Sequence, residues 1–346
     1  MFTPIARTAL GLAGSVFVPR PRTDPEFAAA TWLAGARPGQ LLAAETISPI
    51  GLGGRMNPAK AWRISYATSD RDSRVLSATG AVFRSLSPWR GEGEAPTVAF
   101  APSTQGVAPR CDPSYTCTVG FSTRRSPLDA IAAYEQPAIN LLLACGANVV
   151  VTDYPRDPED NVQLYCDHVS SARALADALR ASSELGIDTT NLGLWGFSQG
   201  GGAVGAWLEQ PEYTPELQPL AAVVGAPPAD LIAMLDHVDG AMSSVVILYA
   251  VAALMAADER IAGEITPHLS GEGVRAVMLG AQVCAAGAVL HRPWAQTSTW
   301  TTTGQTMAEL LADLPLTSAH LEASRLGSRR PPRIPIRLWA SLFDDL

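Results

Sequence analysis

The sequence predicts an α/β fold: a mostly parallel sheet, crossover helices between its strands, and a helical cap inserted late in the chain. Three observations carry this. Short apolar runs alternate with helix-compatible stretches between residues 97 and 224, the pattern of successive β-α-β units. A strand-like run at 192–195 meets Gly196-Phe197-Ser198-Gln199-Gly200 and then a small-residue stretch to Leu208, which reads as strand, sharp turn and helix. Residues 231–325 show no clear strand pattern.

Composition narrows the function classes. The chain has 346 residues, 47% hydrophobic and 17% charged, enough apolar material for a sizeable core and too much for disorder throughout. Its net charge is −8 with no long basic run, which disfavours nucleic acid and suits neutral or apolar substrates. Five cysteines (Cys111, Cys117, Cys145, Cys166 and Cys284) show no C-x-x-C spacing and no zinc-like grouping with histidine, so no metal or other cofactor is expected. They permit two disulfides and one free thiol, or five thiols in a reducing compartment.

In chain order, residues 1–40 are rich in Pro, Gly and Ala and read as an N-terminal arm. Within it Arg7 precedes an apolar run at 9–18 and Pro19, a weak signal-peptide pattern or simply a mobile arm. Residues 41–230 form the expected core. Strands are expected at 43–50, 61–68 and 75–83, with a turn at Asp70-Arg71-Asp72-Ser73, giving an antiparallel start. Residues 97–101 form a buried strand running into Pro102-Ser103-Thr104-Gln105-Gly106. Ser126-Pro127 reads as the cap and first position of a helix that Pro137 breaks or kinks and Gly146 ends. A strand at 149–151, a helix at 168–182 and the turn at Ser198 follow, then a strand at 220–224. Residues 231–325 are the cap. Its apolar stretch 241–257 is at the lower length limit of a membrane span, but Ser243, Ser244 and the lack of basic flanks make it a buried helix. Residues 326–346 return to the core through a strand at 334–340.

The turn at Ser198 carries the chemistry. Glycines at both ends let the backbone take strained dihedrals, and the serine then stands at a helix N-terminus, where amides can stabilise an oxyanion. The expected oxyanion donors are the Gln199 amide and the loop of Ser103, Thr104 and Gln105. A serine hydroxyl needs an imidazole base and a carboxylate to orient it. In this architecture the acid follows a late strand, where Asp344 and Asp345 stand. A histidine should follow the acid, and none of His168, His237, His268, His291 and His320 does. His168 is expected in a crossover helix, and His237, His268 and His291 as surface or packing residues. Asp313 and His320 have the right order, but their spacing is too short for the usual helix-plus-strand connection.

These residues resemble the secretory lipase family. The resemblance rests on Gly196-Phe197-Ser198-Gln199-Gly200-Gly201-Gly202, on Gly225-Ala226-Pro227-Pro228-Ala229-Asp230-Leu231, and on Thr104-Gln105-Gly106 followed by Arg110-Cys111-Asp112-Pro113-Ser114. Val151-Thr152-Asp153-Tyr154 and Phe343-Asp344-Asp345-Leu346 add to it. It implies an α/β-hydrolase fold with a mostly helical lid, hydrolysis of acylglycerols or other esters without a metal, and export to the envelope or beyond. It further implies Ser198 as nucleophile, Asp344 as triad acid and a disulfide between Cys111 and Cys284. The expected substrate is a lipid or small ester, with transient contact at a lipid interface and no membrane span. The sequence departs from the family after Asp153-Tyr154 and in the missing histidine, as a truncated, frameshifted or naturally inactive chain would. A serine peptidase or acyltransferase on the same fold is the remaining alternative.

Overall fold

A computed structural model of the chain describes residues 27–51, 59–329 and 333–341. One sheet dominates it. Its eight strands are β1 (Leu41–Ile47), β2 (Ala59–Ser69), β3 (Val75–Ser85), β4 (Thr97–Ala101), β7 (Asn148–Pro155), β8 (Leu192–Phe197), β9 (Ala221–Gly225) and β10 (Ile336–Trp339). Their order is β1-β2-β3-β7-β4-β8-β9-β10. The first three pair antiparallel, and β3 is antiparallel to β7. From β7 to β10 every pairing is parallel.

Period-two alternation sends side chains to both faces of this sheet. Val149, Val151 and Phe100 pack with Ile139 and Leu143 of helix α2 (Gln136–Ala144). Val150, Ala99 and Leu194 pack on the other face with Leu175 and Leu179 of α3 (His168–Ser182) and Val204 of α4 (Gln199–Leu208). Both faces are therefore covered, as a parallel sheet requires. Chain order reverses around β4, whose neighbours are β7 and β8, and a crevice at the carboxyl ends of strands at such a switch is where open α/β sheets bind ligands.

One expectation is overturned. Ser126-Pro127 starts no helix. It is the cis-peptide turn of a two-stranded hairpin, β5 (Phe121–Arg125) and β6 (Leu128–Ala132). Proline at the second of a turn's two central positions and proline at the first position of a helix look alike in sequence. Here the flanking strands pair instead of winding. Pro137 does not kink a helix either: it sits in the first turn of α2, where its missing N–H costs nothing. The short helix α1 (Pro113–Val119) precedes the hairpin.

Between β9 and β10 the described chain is helical: α5 (Leu231–His237), α6 (Val245–Ala257), α7 (Glu259–Ile265), α8 (Gly271–Gly280), α9 (Ala285–His291), α10 (Met307–Asp313) and α11 (Pro315–Glu322). Residues 245–254 of α6 are all buried, so this helix is apolar all round because it is the axis of a second core. Among the described residues no helix is long and apolar enough to cross a membrane. The block leaves and rejoins the sheet at one place, where the Leu326 N–H donates to Ala229 O at 2.9 Å. It is also fastened to the hairpin and to the segment before α1. Cys284 is disulfide-bonded to Cys111. The Cys284 N–H donates to Asp129 Oδ1 at 3.1 Å, and the Arg124 guanidinium donates to Gln282 O at 2.8 Å.

Candidate active site

The site is built where β8 ends. Ser198 has φ 54° and ψ −121°, a left-handed conformation that costs a non-glycine residue on the order of 1–3 kcal/mol. Close approach of backbones on either side enforces it. A Cβ on Gly196 would lie 2.1 Å from Gly200 O, and one on Gly200 would lie 2.0 Å from Ala101 O. Only glycine lets the turn close on itself and dock against the end of β4. The Ser198 N–H donates to Gly225 O at 2.9 Å, tying the turn to β9.

The Ser198 hydroxyl has no hydrogen-bond partner among the described residues. It faces a cavity of about 480 Å³ lined by Tyr165, Pro227, Met234, His237, Ala340 and Ser341, among others. Ala229 and the α5 residues Ala233, Met234 and His237 make one wall of it, a helical face of spacing three and four. His237 is exposed, as expected of a surface residue, and among the described histidines it is the one that lines the serine's cavity. The other described histidines are placed elsewhere. His168 is fully buried with Nδ1 2.8 Å from Ser324 O. His291 Nε2 lies 2.7 Å from Leu128 O. His320 sits among Arg71, Asp72, Asp167 and Asp258, with Asp313 engaged by Gln305 instead. The expected acid, Asp344, and its neighbour Asp345 lie outside the described residues. Ser341, three residues before Asp344, lines the cavity.

The loop 102–106 leaves β4 beside the turn. Tyr154 donates its hydroxyl to Pro102 O at 2.6 Å. Thr104 Oγ1 and the Tyr165 hydroxyl are 2.8 Å apart, which links the loop to the cavity wall. The Ala285 N–H of the helical block holds Gln105 O at 2.9 Å. Ser103 departs from expectation as an oxyanion donor, because its N–H is already bonded to Glu135 Oε1 at 2.6 Å. The amides of Thr104, Gln105 and Gln199 have no acceptor among the described residues. Gln199 stands at the first position of α4, where helix geometry leaves the N–H free. Its side chain donates to Gln163 Oε1 at 2.8 Å, and Gln163 in turn donates to Asp153 O at 2.9 Å. Tyr134, Glu135, Gln163 and Tyr165 were not expected at the site. No pattern in the sequence flags them, since each reaches it from a distant segment.

A strained serine at a strand–helix turn, free amides at a helix start and on the neighbouring strand's loop, and an apolar-walled cavity are features that acyl transfer can use. The secretory lipase family model matches residues 123–346. The chain belongs to the secretory lipase family. A protein of Mycobacterium tuberculosis described as a probable inactive lipase is 27% identical over 261 residues, 73% of this chain and 56% of that protein. A secreted triacylglycerol lipase of Malassezia restricta is 26% identical over 68% of this chain and 50% of its own length. The chain thus spans about half the length of these relatives. Candida antarctica lipase A has the same fold, with a TM-score of 0.74 at 20% identity, covering 95% of this chain and 75% of that one. The rice cell wall degrading esterase LipA of Xanthomonas oryzae also shares it, at a TM-score of 0.65 and 16% identity, over 88% and 83%. The α/β-hydrolase fold is therefore common to all three.

Proposed function

We propose that this member of the family is a serine ester hydrolase of lipase type. Ser198 Oγ attacks the carbonyl carbon of a carboxylic ester, its proton passes to a general base, and the carbonyl electron pair becomes an oxyanion. Collapse expels the alcohol, which takes up the proton, and water then cleaves the acyl-enzyme by the same route. The Gln199 amide and the loop of Thr104 and Gln105 stabilise the oxyanion. Asp344 is the triad acid in this reading, and the helical block between β9 and β10 is the lid. The observation that carries the reading is the strained Ser198 with its hydroxyl facing an apolar-walled cavity. Pro227, Ala233 and Met234 suit an acyl chain or another apolar ester group, hence a lipid or small ester. Export, as the family name suggests, belongs to the same reading.

A second reading, a catalytically impaired homologue, is favoured by one observation: among the described residues no imidazole is hydrogen-bonded to Ser198. Loss of a triad member leaves only residual rate over water. One experiment separates the two. A fluorophosphonate probe, with labelled peptides sequenced by mass spectrometry, should modify Ser198, alongside p-nitrophenyl ester hydrolysis at a rate typical of an intact lipase. Labelling that persists in Ser198→Ala would sink the first reading. A folded chain that neither labels nor hydrolyses supports the second.

A further inference from the structure

Glu135 is the residue from which the loop beside the serine is hung. It follows β6 and caps the start of α2, far in the chain from the nucleophile turn. Its Oε1 accepts the Ser103 N–H at 2.6 Å, the Ser103 hydroxyl at 2.5 Å and the Gln105 side-chain amide at 3.5 Å. That amide also donates to Ser103 O at 3.1 Å. The preceding residue, Tyr134, donates its hydroxyl to Thr104 O. Consecutive side chains therefore fix both ends of the Ser103–Thr104 segment and leave the Thr104 N–H without an acceptor among the described residues.

Glu135 has no salt-bridge partner among the described residues. Burial pushes its carboxyl above the ordinary glutamate range, against the Ser103 hydrogen bonds, which pull it down. A carboxyl so placed is a poor stabilising device. Its three convergent donors all come from one loop, so its effect is to fix that loop's shape. Oxyanion stabilisation depends on donors aimed in advance at where charge develops, and a loop donor is only as well aimed as the groups supporting it.

We propose that Glu135 is a positioning residue: by holding Ser103 and Gln105 it presents the Thr104 amide to the oxyanion formed at Ser198. The proposal rests on the ester-hydrolase reading. The neutral isostere keeps an acceptor oxygen at the same place, so Glu135→Gln should hold the loop, and Glu135→Ala should release it.

The test uses the full chain and both variants. Fluorophosphonate labelling and p-nitrophenyl ester kinetics are read together with hydrogen–deuterium exchange of the peptide covering residues 102–107. In Glu135→Ala, kcat should fall about tenfold to a hundredfold with KM within about twofold, below the full loss of an oxyanion donor. Exchange of that peptide should rise while exchange in α3 stays unchanged. Glu135→Gln should recover most of kcat and the wild-type exchange. Wild-type kcat, or unchanged loop exchange, in Glu135→Ala overturns the assignment while leaving the hydrolase reading intact. So does a Gln variant as impaired as the Ala variant. A wild-type chain whose Ser198 does not label overturns both.

Discussion

Nε2 of His168 stands directly over Gly202: a Cβ on that glycine would lie 2.4 Å from the nitrogen. The ring cannot swing away, because Nδ1 donates to Ser324 O at 2.8 Å and the whole side chain is buried. Helix α3, the helix that follows the nucleophile turn and the segment returning from the helical block therefore meet at one imidazole. Gly202→Ala should destabilise the chain by about 1–3 kcal/mol, the usual result of overpacking. Urea denaturation measures it. In a His168→Ala background the same substitution should cost much less, since the two residues are in contact.

The same imidazole makes stability depend on pH. Burial lowers the His168 pKa from 6.5 to about 4. The folded state binds this proton less tightly than the unfolded state, so its contribution is complete above pH 6.5. It is lost as pH falls from 6.5 towards 4, by at most roughly 3 kcal/mol. Asp177 works in the opposite sense. Burial raises it to about 6 despite hydrogen bonds from Tyr213, Thr68 and Arg180, so its contribution is present at low pH and fades as pH rises through about 6. Urea midpoints at pH 7, 5.5 and 4.5 should fall less steeply in His168→Gln than in wild type. Parallel slopes would show that His168 does not titrate on unfolding.

Cysteine reactivity follows from placement. Cys145 is exposed, whereas Cys117 and Cys166 are buried. Burial pushes the Cys166 thiol up to about 12 and the Cys117 thiol higher still, and a thiol is a weak nucleophile until ionised. Iodoacetamide should modify Cys145 alone in the native chain, Cys117 and Cys166 in addition after denaturation, and Cys111 and Cys284 only after reduction. Mass spectrometry of the alkylated chain counts these steps. The Cys111–Cys284 bond joins residues 173 apart, and replacing both cysteines by serine should cost about 2–5 kcal/mol.

Leu248 tests the core of the helical block. It is fully buried in α6, and α8 approaches it so closely that a Cβ on Gly280 would lie 2.7 Å from Leu248 Cβ. Leu248→Ala should cost about 2–5 kcal/mol, with the spread set by how far the cavity collapses. Thermal or urea denaturation reads it. A loss below about 1 kcal/mol would mean that the block repacks freely.

Most elements were legible because their signals are local. The turn at Ser198 is written in two glycines four residues apart: the Cβ position of Gly196 is filled by backbone of the same turn, and that of Gly200 by the end of β4. Helix α3 matches its expected bounds because an aspartate cap, Asp167, precedes an alanine- and leucine-rich run. The hairpin at β5 and β6 is not legible, because a Ser-Pro pair suits a turn and a helix start equally.

By itself, then, the sequence determined the type of fold, the strand–turn–helix that strains Ser198, and an apolar helix destined for burial. Those follow from residue periodicity and from glycine's missing side chain, both properties of a short stretch. Tertiary structure alone decided that Glu135 holds Ser103, that His168 rests on Gly202, and that His237 rather than another histidine lines the serine's cavity. Each joins residues 32 to 39 positions apart in the chain, through a hydrogen bond, a close packing contact or a shared cavity. Such pairings depend on how the sheet orders its strands and where the helical block is fastened, which no local pattern encodes.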